Sequence, residues 1–373
     1  MTRALLATIA AVAAVSIAAP AQAAVPAVHA SAYVVEDART GDVLATSNEH
    51  THLPIASITK LMTVLITLEH HKLTDVVTVD PRAASVGEST VNLRSGERLT
   101  VRDLLKATLI QSANDAADAL ALSVAPDYAA FGNLMNAEAA KLDLRDSHFV
   151  RPDGLDSPDE YSSAADATKL GRLVMRTRFV RETVREQTDT IEGGRVLHTW
   201  DDLLSLFPQT IGVKTGHTGA AGWCQVAAAR GRGVTIYATL LGAPTRAVRN
   251  ADLESLLAWG IAQFRVVPLV QQDRAYAVVD LPYGKAPLAL RAATPFLGVV
   301  RVDRPLMERV VAARVVALPV HEGTVLGHVE VWLGKRLLVR RDLVASRTIN
   351  KPGIVRRLGW YAGRAGHNLL HLL

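Results

Sequence analysis

The chain has 373 residues, of which 49% are hydrophobic and 21% charged, with a formal net charge of +5. That composition excludes an intrinsically disordered protein, and the length points to two domains rather than one small core. The single cysteine, Cys224, excludes an internal disulfide or a cysteine-built zinc site, and the twelve histidines contain no H-E-x-x-H spacing, so metal catalysis has no support.

In chain order, Arg3 precedes an apolar run over residues 4–19, and the small residues Ala21 and Ala23 bracket Gln22. This pattern reads as an export signal over residues 1–23, cleaved after Ala23. The run is shorter than the about 20 apolar residues that a membrane span needs. No cysteine lies nearby to carry a lipid. The expected location is therefore extracytoplasmic, where a basic protein suits anionic wall polymer or anionic lipid, and nucleic acid is not expected as a partner.

Residues 32–46 read as a β-hairpin around the turn 37–42. Over residues 55–70, Leu61, Met62, Leu65 and Leu68 recur at helical spacing. Leu104, Leu105, Leu109 and Ile110, then the Ala-rich stretch 113–125, predict two further helices, and residues 164–180 and 183–190 are also read as helical. The period then changes. Residues 211–213, 223–229 and 234–241 read as three strands separated by the turns 219–222 and 231–233, and a helix with Leu253, Leu256, Leu257 and Ile261 on one side follows over 250–264. Within the second of these strands Cys224 reads as a small buried hydrophobe. Helices flanking an antiparallel sheet make residues 24–266 an α+β domain. Residues 267–347 are dense in Val and Leu between turn signals, the pattern of a smaller all-β domain. The tail, residues 348–373, carries Arg356, Arg357, Trp360, Tyr361 and Arg364 before a Leu-rich end. Two readings stay open for it. One is an amphipathic helix at a membrane surface; the other is a disordered basic tail, because Gly363 and Gly366 each weaken a helix by about 1 kcal/mol relative to alanine.

Three short motifs carry the chemistry. In Ser57-Ile58-Thr59-Lys60, residues three apart at a helix start share a face, which sets an amine beside a hydroxyl. A desolvated lysine loses its proton readily enough to act as a base. Ser112-Ala113-Asn114 offers a hydroxyl to relay protons and an amide to orient a lysine, although Asn114 alone would equally serve as a helix cap. Lys214-Thr215-Gly216-His217 offers charge and a hydroxyl to a carboxylate at a glycine where a ligand backbone approaches a strand; alone it would pass for a strand exit. Each is weak by itself. Together, in this order and with domain-scale gaps, they form a serine-lysine acyl-transfer set.

In these motifs the sequence resembles the low-molecular-weight penicillin-binding proteins, the serine D-alanyl-D-alanine carboxypeptidases of peptidase family S11. The resemblance extends through residues 54–63, 112–116, 152–156, 161–164 and 213–218. It implies a penicillin-binding/β-lactamase-like catalytic domain, peptidoglycan stem peptides as substrate, β-lactams as covalent inhibitors and no cofactor. It further implies that Ser57 attacks the carbonyl between the terminal D-alanines, that Lys60 accepts its proton, and that Ser112 and Asn114 assist proton transfer and hold the donor. Lys214, Thr215, Gly216 and His217 would bind substrate, the backbone N–H groups of Ser57 and His217 would form an oxyanion hole, and Arg249 would meet the terminal carboxylate. Ala113 departs from the glycine common in the middle motif. A β-lactamase would need a deacylating glutamate, and Glu182, Glu186 and Glu192 lie in no E-x-x-x-N context. An endopeptidase would use the same chemistry, and a non-catalytic wall-binding protein would release no D-alanine.

Overall fold

The computed structural model describes residues 8–13 and 24–370, with side chains from 24 to 362. Contacts divide it into two units, one of residues 23–262 and one that includes residues 263–373. Of the leader read over residues 1–23, only the strand Thr8–Ala13 is described, and the expected cleavage point lies outside the described residues.

The first unit is built on a five-stranded antiparallel sheet. β1 (Ala32–Asp37) and β2 (Val43–Ser47) form the hairpin expected there, its turn closed by Asp37, which accepts from the Arg39 N–H and the Thr40 hydroxyl. β3 (Thr210–Thr218), β4 (Gly222–Gly231) and β5 (Val234–Ala243) follow one another in the chain, and β1 pairs with β5 to give the order β2-β1-β5-β4-β3. Helices cover both faces. Thr239 of β5 bonds Thr168 of α5 (Ala164–Val174) at 2.6 Å, whereas Ile236, of opposite parity on the same strand, meets Gly260 of α6 (Arg246–Ala262). That is why β4 and β5 are buried along nearly their whole length instead of alternating. Cys224 of β4 is wholly buried, as its apolar surroundings predict.

The helical layer is centred on α1 (Lys60–His70), whose Leu61, Met62 and Val64 are inaccessible to solvent. Against it pack α3 (Asn114–Val124), α4 (Tyr128–Lys141) and α5, and α2 (Val101–Lys106) packs on α3. No helix is expected from the sequence at α4, because Gly132 and Glu138 dilute its buried stripe of Phe131, Met135 and Ala139. The helix expected over 183–190 is a correction of kind: only Thr183 ends a helix (Arg178–Thr183), and Thr188–Ile191 pairs with Arg195–His198 instead. Gly193 and Gly194, both at positive φ, turn that hairpin.

The boundary expected at residue 266 falls inside β6 (Phe264–Val270), which pairs with β9 (Phe296–Arg301), so the second unit begins at Gln263. The rest of this unit is a sheet of β7 (Ala275–Val279), β8 (Leu288–Ala292), β10 (Leu306–Ala313), β11 (Val325–Leu333) and β12 (Arg336–Ala345), with Thr8–Ala13 along the edge of β10. Its own core gathers Val270, Leu288, Leu290, Val329 and Leu343. The tail forms the helix α7 (Ile354–Leu370). Tyr283 packs edge-on against Trp360 and Tyr361 of this helix, with ring centroids 5.1 and 5.9 Å away.

In the first unit two glycines let other segments close on the turn before α1. A Cβ on Gly216 of β3 would lie 2.8 Å from the Ile55 carbonyl and 3.1 Å from the Ser57 nitrogen. At Gly154, which adopts a φ of 74°, a Cβ would overlap the Ala56 carbonyl. The Gly154→Ala variant is therefore expected to lose about 1–3 kcal/mol of stability through strain and overpacking. Thermal melting checks this, and an unchanged midpoint would contradict so close a fit.

Candidate active site

Ser57 lies in the 3-10 turn Ala56–Thr59 that opens into α1. Ala56 just before it takes a left-handed φ of 50°, strained for a residue with a Cβ. The turn is held from outside: the Thr63 hydroxyl donates to the Pro152 carbonyl at 2.6 Å, and the Thr59 hydroxyl to Glu160 at 2.9 Å. One turn beyond Ser57, the Lys60 Nζ donates to Ser57 Oγ at 2.8 Å, to Asn114 Oδ1 at 2.7 Å and to the Asp153 carbonyl at 2.5 Å. All three protons of an ammonium thus have acceptors, and a neutral amine would offer its lone pair to the serine.

Lys60 is fully buried, and burial pulls its pKa down to about 8 against the opposing pull of Asp153, Asp118, Glu160 and Glu88. The acids behind it differ from one another. Burial works to raise the Asp153 pKa, but Arg151, bonded to both of its oxygens, and Lys60 outweigh it and hold the carboxyl below its usual range. Burial, reinforced by Asp153, pushes Asp118 up to about 7 despite a 2.7 Å bond from the Tyr128 hydroxyl. Glu160 is pushed up to about 7 by burial as well.

Ser112 and Asn114 are delivered by a wide π-turn over Ala107–Gln111 at the end of α2, a deformation frequent at functional sites. The turn ends in Ser112 at a left-handed φ of 62°, after which Asn114 starts α3. Asn114 is no simple cap: its side chain spans Lys60 and the Gly87 carbonyl, which accepts at 2.9 Å. Ser112 Oγ accepts from Lys214 Nζ at 2.8 Å, and the same ammonium donates to the Thr215 carbonyl at 2.8 Å. Lys214 is buried, and burial first, then the charge of Lys60, depresses its pKa.

Lys214, Thr215, Gly216 and His217 do not end a short strand as expected. β3 continues through them, because its pairing with β4 runs on to Thr218 opposite Gly222. Its inner side walls a cleft of about 230 Å³, also lined by Ser57, Ser112, Asn114 and Arg249. All nine residues singled out in the sequence thus line this cleft or bond a residue that does. Arg249 is the least free of them. Its guanidinium is 1% exposed, bonds Asn250 and Asp202, and lies over the Trp223 ring at 5.6 Å, so it contributes charge more than an available fork of donors.

Sequence reasoning passed over Trp200, Trp223, Leu155, Glu88 and Ser89, which also line the cleft. Trp223 was recoverable, since the turn after β3 sets it directly across from His217, whose ring it meets at 4.1 Å. Glu182, Glu186 and Glu192, weighed as deacylating bases, do not line the cleft. Among the described residues no cluster of three His, Cys, Asp or Glu could hold a metal ion.

Comparison with known proteins agrees with this geometry. Residues 19–245 match the D-alanyl-D-alanine carboxypeptidase family, Peptidase S11. D-alanyl-D-alanine carboxypeptidase DacD of Salmonella typhimurium is 30% identical over 356 residues, covering 90% of each chain. DacF of Bacillus subtilis is 28% identical over 340 residues, covering 88% of this chain and 87% of its own. Among solved structures, penicillin binding protein 5 of Haemophilus influenzae superposes with a TM-score of 0.64 at 25% identity, covering 87% of this chain and 99% of its own. A family pattern that takes in the serine-lysine turn, the π-turn and the Lys-Thr-Gly strand alike makes this chain a member of the S11 D-alanyl-D-alanine carboxypeptidases, the serine peptidases of the penicillin-binding type.

Proposed function

We propose that Ser57 is the nucleophile through which this serine-type D-Ala-D-Ala carboxypeptidase trims peptidoglycan stem peptides, and that Lys60 is its base. The observation that carries the reading is the 2.8 Å contact between Lys60 Nζ and Ser57 Oγ, made by an amine whose pKa burial brings to about 8. An appreciable fraction is then neutral near physiological pH and able to take the serine proton.

Ser57 Oγ adds to the carbonyl between the two terminal D-alanines while its proton passes to Lys60. The developing oxyanion is assigned to the backbone N–H groups of Ser57 and His217, a pairing supported by the close approach that Gly216 allows. Collapse of the adduct needs a proton on the departing amine, and Ser112, bonded to Lys214, is suited to deliver it. Thr215 and the positive charges of Lys214 and Arg249 suit the terminal carboxylate, and Asn114 suits the donor's amide. Water, with Lys60 again as base, hydrolyses the acyl-enzyme and restores Ser57. β-Lactams acylate the same hydroxyl.

Membership of this family accords with an extracytoplasmic site of action, and we read residues 1–23 as the export leader. We read α7 as a helix that lies on a membrane surface. Ile354, Val355, Leu358 and Tyr361 are all more than half exposed beside Arg356 and Arg357. Among the described residues no helix is long and apolar enough to cross a membrane.

Three measurements test these assignments. Mass spectrometry after benzylpenicillin is expected to show a long-lived adduct on the intact protein and none on Ser57→Ala; an adduct on the variant would displace Ser57 as nucleophile. Because the neutral amine is the active form, the acylation rate is expected to rise about tenfold per pH unit below the pKa of Lys60 and to level off above about pH 8; a rate that falls with rising pH over that range would refute Lys60 as base. In sedimentation with phosphatidylglycerol vesicles, the full chain is expected to partition more strongly than a version ending at Arg347. Equal partitioning would remove the tail from the membrane.

A further inference from the structure

The loop of Gly87, Glu88 and Ser89 is fastened to Asn114 on both sides of Glu88. The Gly87 carbonyl accepts from Asn114 Nδ2 at 2.9 Å, and the Ser89 carbonyl accepts from the Asn114 backbone N–H at 2.7 Å. Beyond them, Ser89 Oγ donates to the Gln111 carbonyl at 3.0 Å, and the N–H groups of Val91 and Leu93 donate to the buried Asp115 carboxylate. Held this way, Glu88 adopts a left-handed φ of 65°. Glycine or asparagine takes that conformation at much lower cost than glutamate. The loop gains no hydrogen bond or ion pair in return among the described residues, since the Glu88 side chain is exposed and its only pull is a longer-range one on the charge of Lys60.

What the side chain does is line the cleft, where it is the one carboxylate among the lining residues. The cationic groups at the cleft are buried: Arg249 lines it, and Lys214 bonds Ser112, which does. A peptide ending in a carboxylate is drawn to those cations and repelled by Glu88, so the group that meets Glu88 belongs to the donor part of the peptide, N-terminal to the bond that is cut. We infer that Glu88 forms a subsite for a side-chain ammonium on that donor segment. Strain of this kind is kept where the side chain it presents is used. The inference rests on the cleft being the donor-peptide site, and it adds that cationic donors are preferred over neutral ones.

The test compares two peptides ending in D-Ala-D-Ala, identical except that one lysyl side-chain amine is free in one and acetylated in the other. For the wild-type protein at low ionic strength, kcat/KM is expected to favour the free amine about two- to fivefold, the size an exposed ion pair supports. The difference should lie in KM and fade with added salt. Glu88→Gln is expected to abolish the preference. Glu88→Gly should abolish it too while raising the melting temperature, because it relieves the backbone as it removes the charge. Equal kcat/KM for both peptides in the wild type, or a preference that survives in either variant, would overturn the inference. Failure of the underlying reading looks different: neither peptide would release D-alanine, and benzylpenicillin would leave no adduct on the wild-type protein.

Discussion

An amine shut away from water is the constraint around which the catalytic unit is arranged. Lys60 has no solvent to stabilise its charge, so its proton is held only by what the fold supplies. The fold supplies a graded set of acids. Asp153 stays ionised because Arg151 clamps it, whereas Asp118 and Glu160 are driven toward their neutral forms by the same burial that affects the lysine. The counter-charge felt by Lys60 is therefore less than the number of carboxyl groups implies. Too much of it would lock the ammonium, and too little would leave the fold with an unpaired buried charge. The charge of Lys60 in turn joins burial in depressing the pKa of the nearby Lys214.

Holding that balance requires backbone that the local sequence does not favour. Ala56, Glu88 and Ser112 all sit in the left-handed region, and each is a cleft residue or a direct neighbour of one. Such conformations persist only where surrounding contacts over-determine them. Here those contacts are identifiable: Gly154 and Gly216 against the turn at Ala56, Asn114 on both sides of Glu88, and the π-turn leading into Ser112. Local preference is set aside at these positions, as it is in turns elsewhere such as those at Arg232 and Tyr283, and obeyed along the sheet strands and in α1.

The same contrast explains what could be read from the sequence. The five-stranded sheet, α1 and the three motifs were legible because each rests on short-range signals, namely apolar period, turn glycines and residue types at fixed spacing. The chemistry of the motifs depended on seeing them together, since Ser57 and Lys60 meet Asn114, and Lys214 meets Ser112, only through tertiary packing. The acids behind Lys60 were not legible. Asp118 looks like one more polar residue on a helix until α4 brings Tyr128 against it. The hairpin at Thr188–Ile191 was misread because charged and polar residues there satisfy a helical period as well as an alternating one, and the Gly193-Gly194 turn is what decides between them.

The burial that lowers an amine's pKa acts in the opposite sense on an acid, and the chain's one sulfhydryl shows it. Cys224 is enclosed in β4, and burial pushes its thiol up to about 12. Thiolate is the form that attacks disulfides and reacts with oxidants, and this site supplies almost none. In the folded chain the thiol is thus kept from bridging to a neighbour by the same sheet that carries the Lys-Thr-Gly strand.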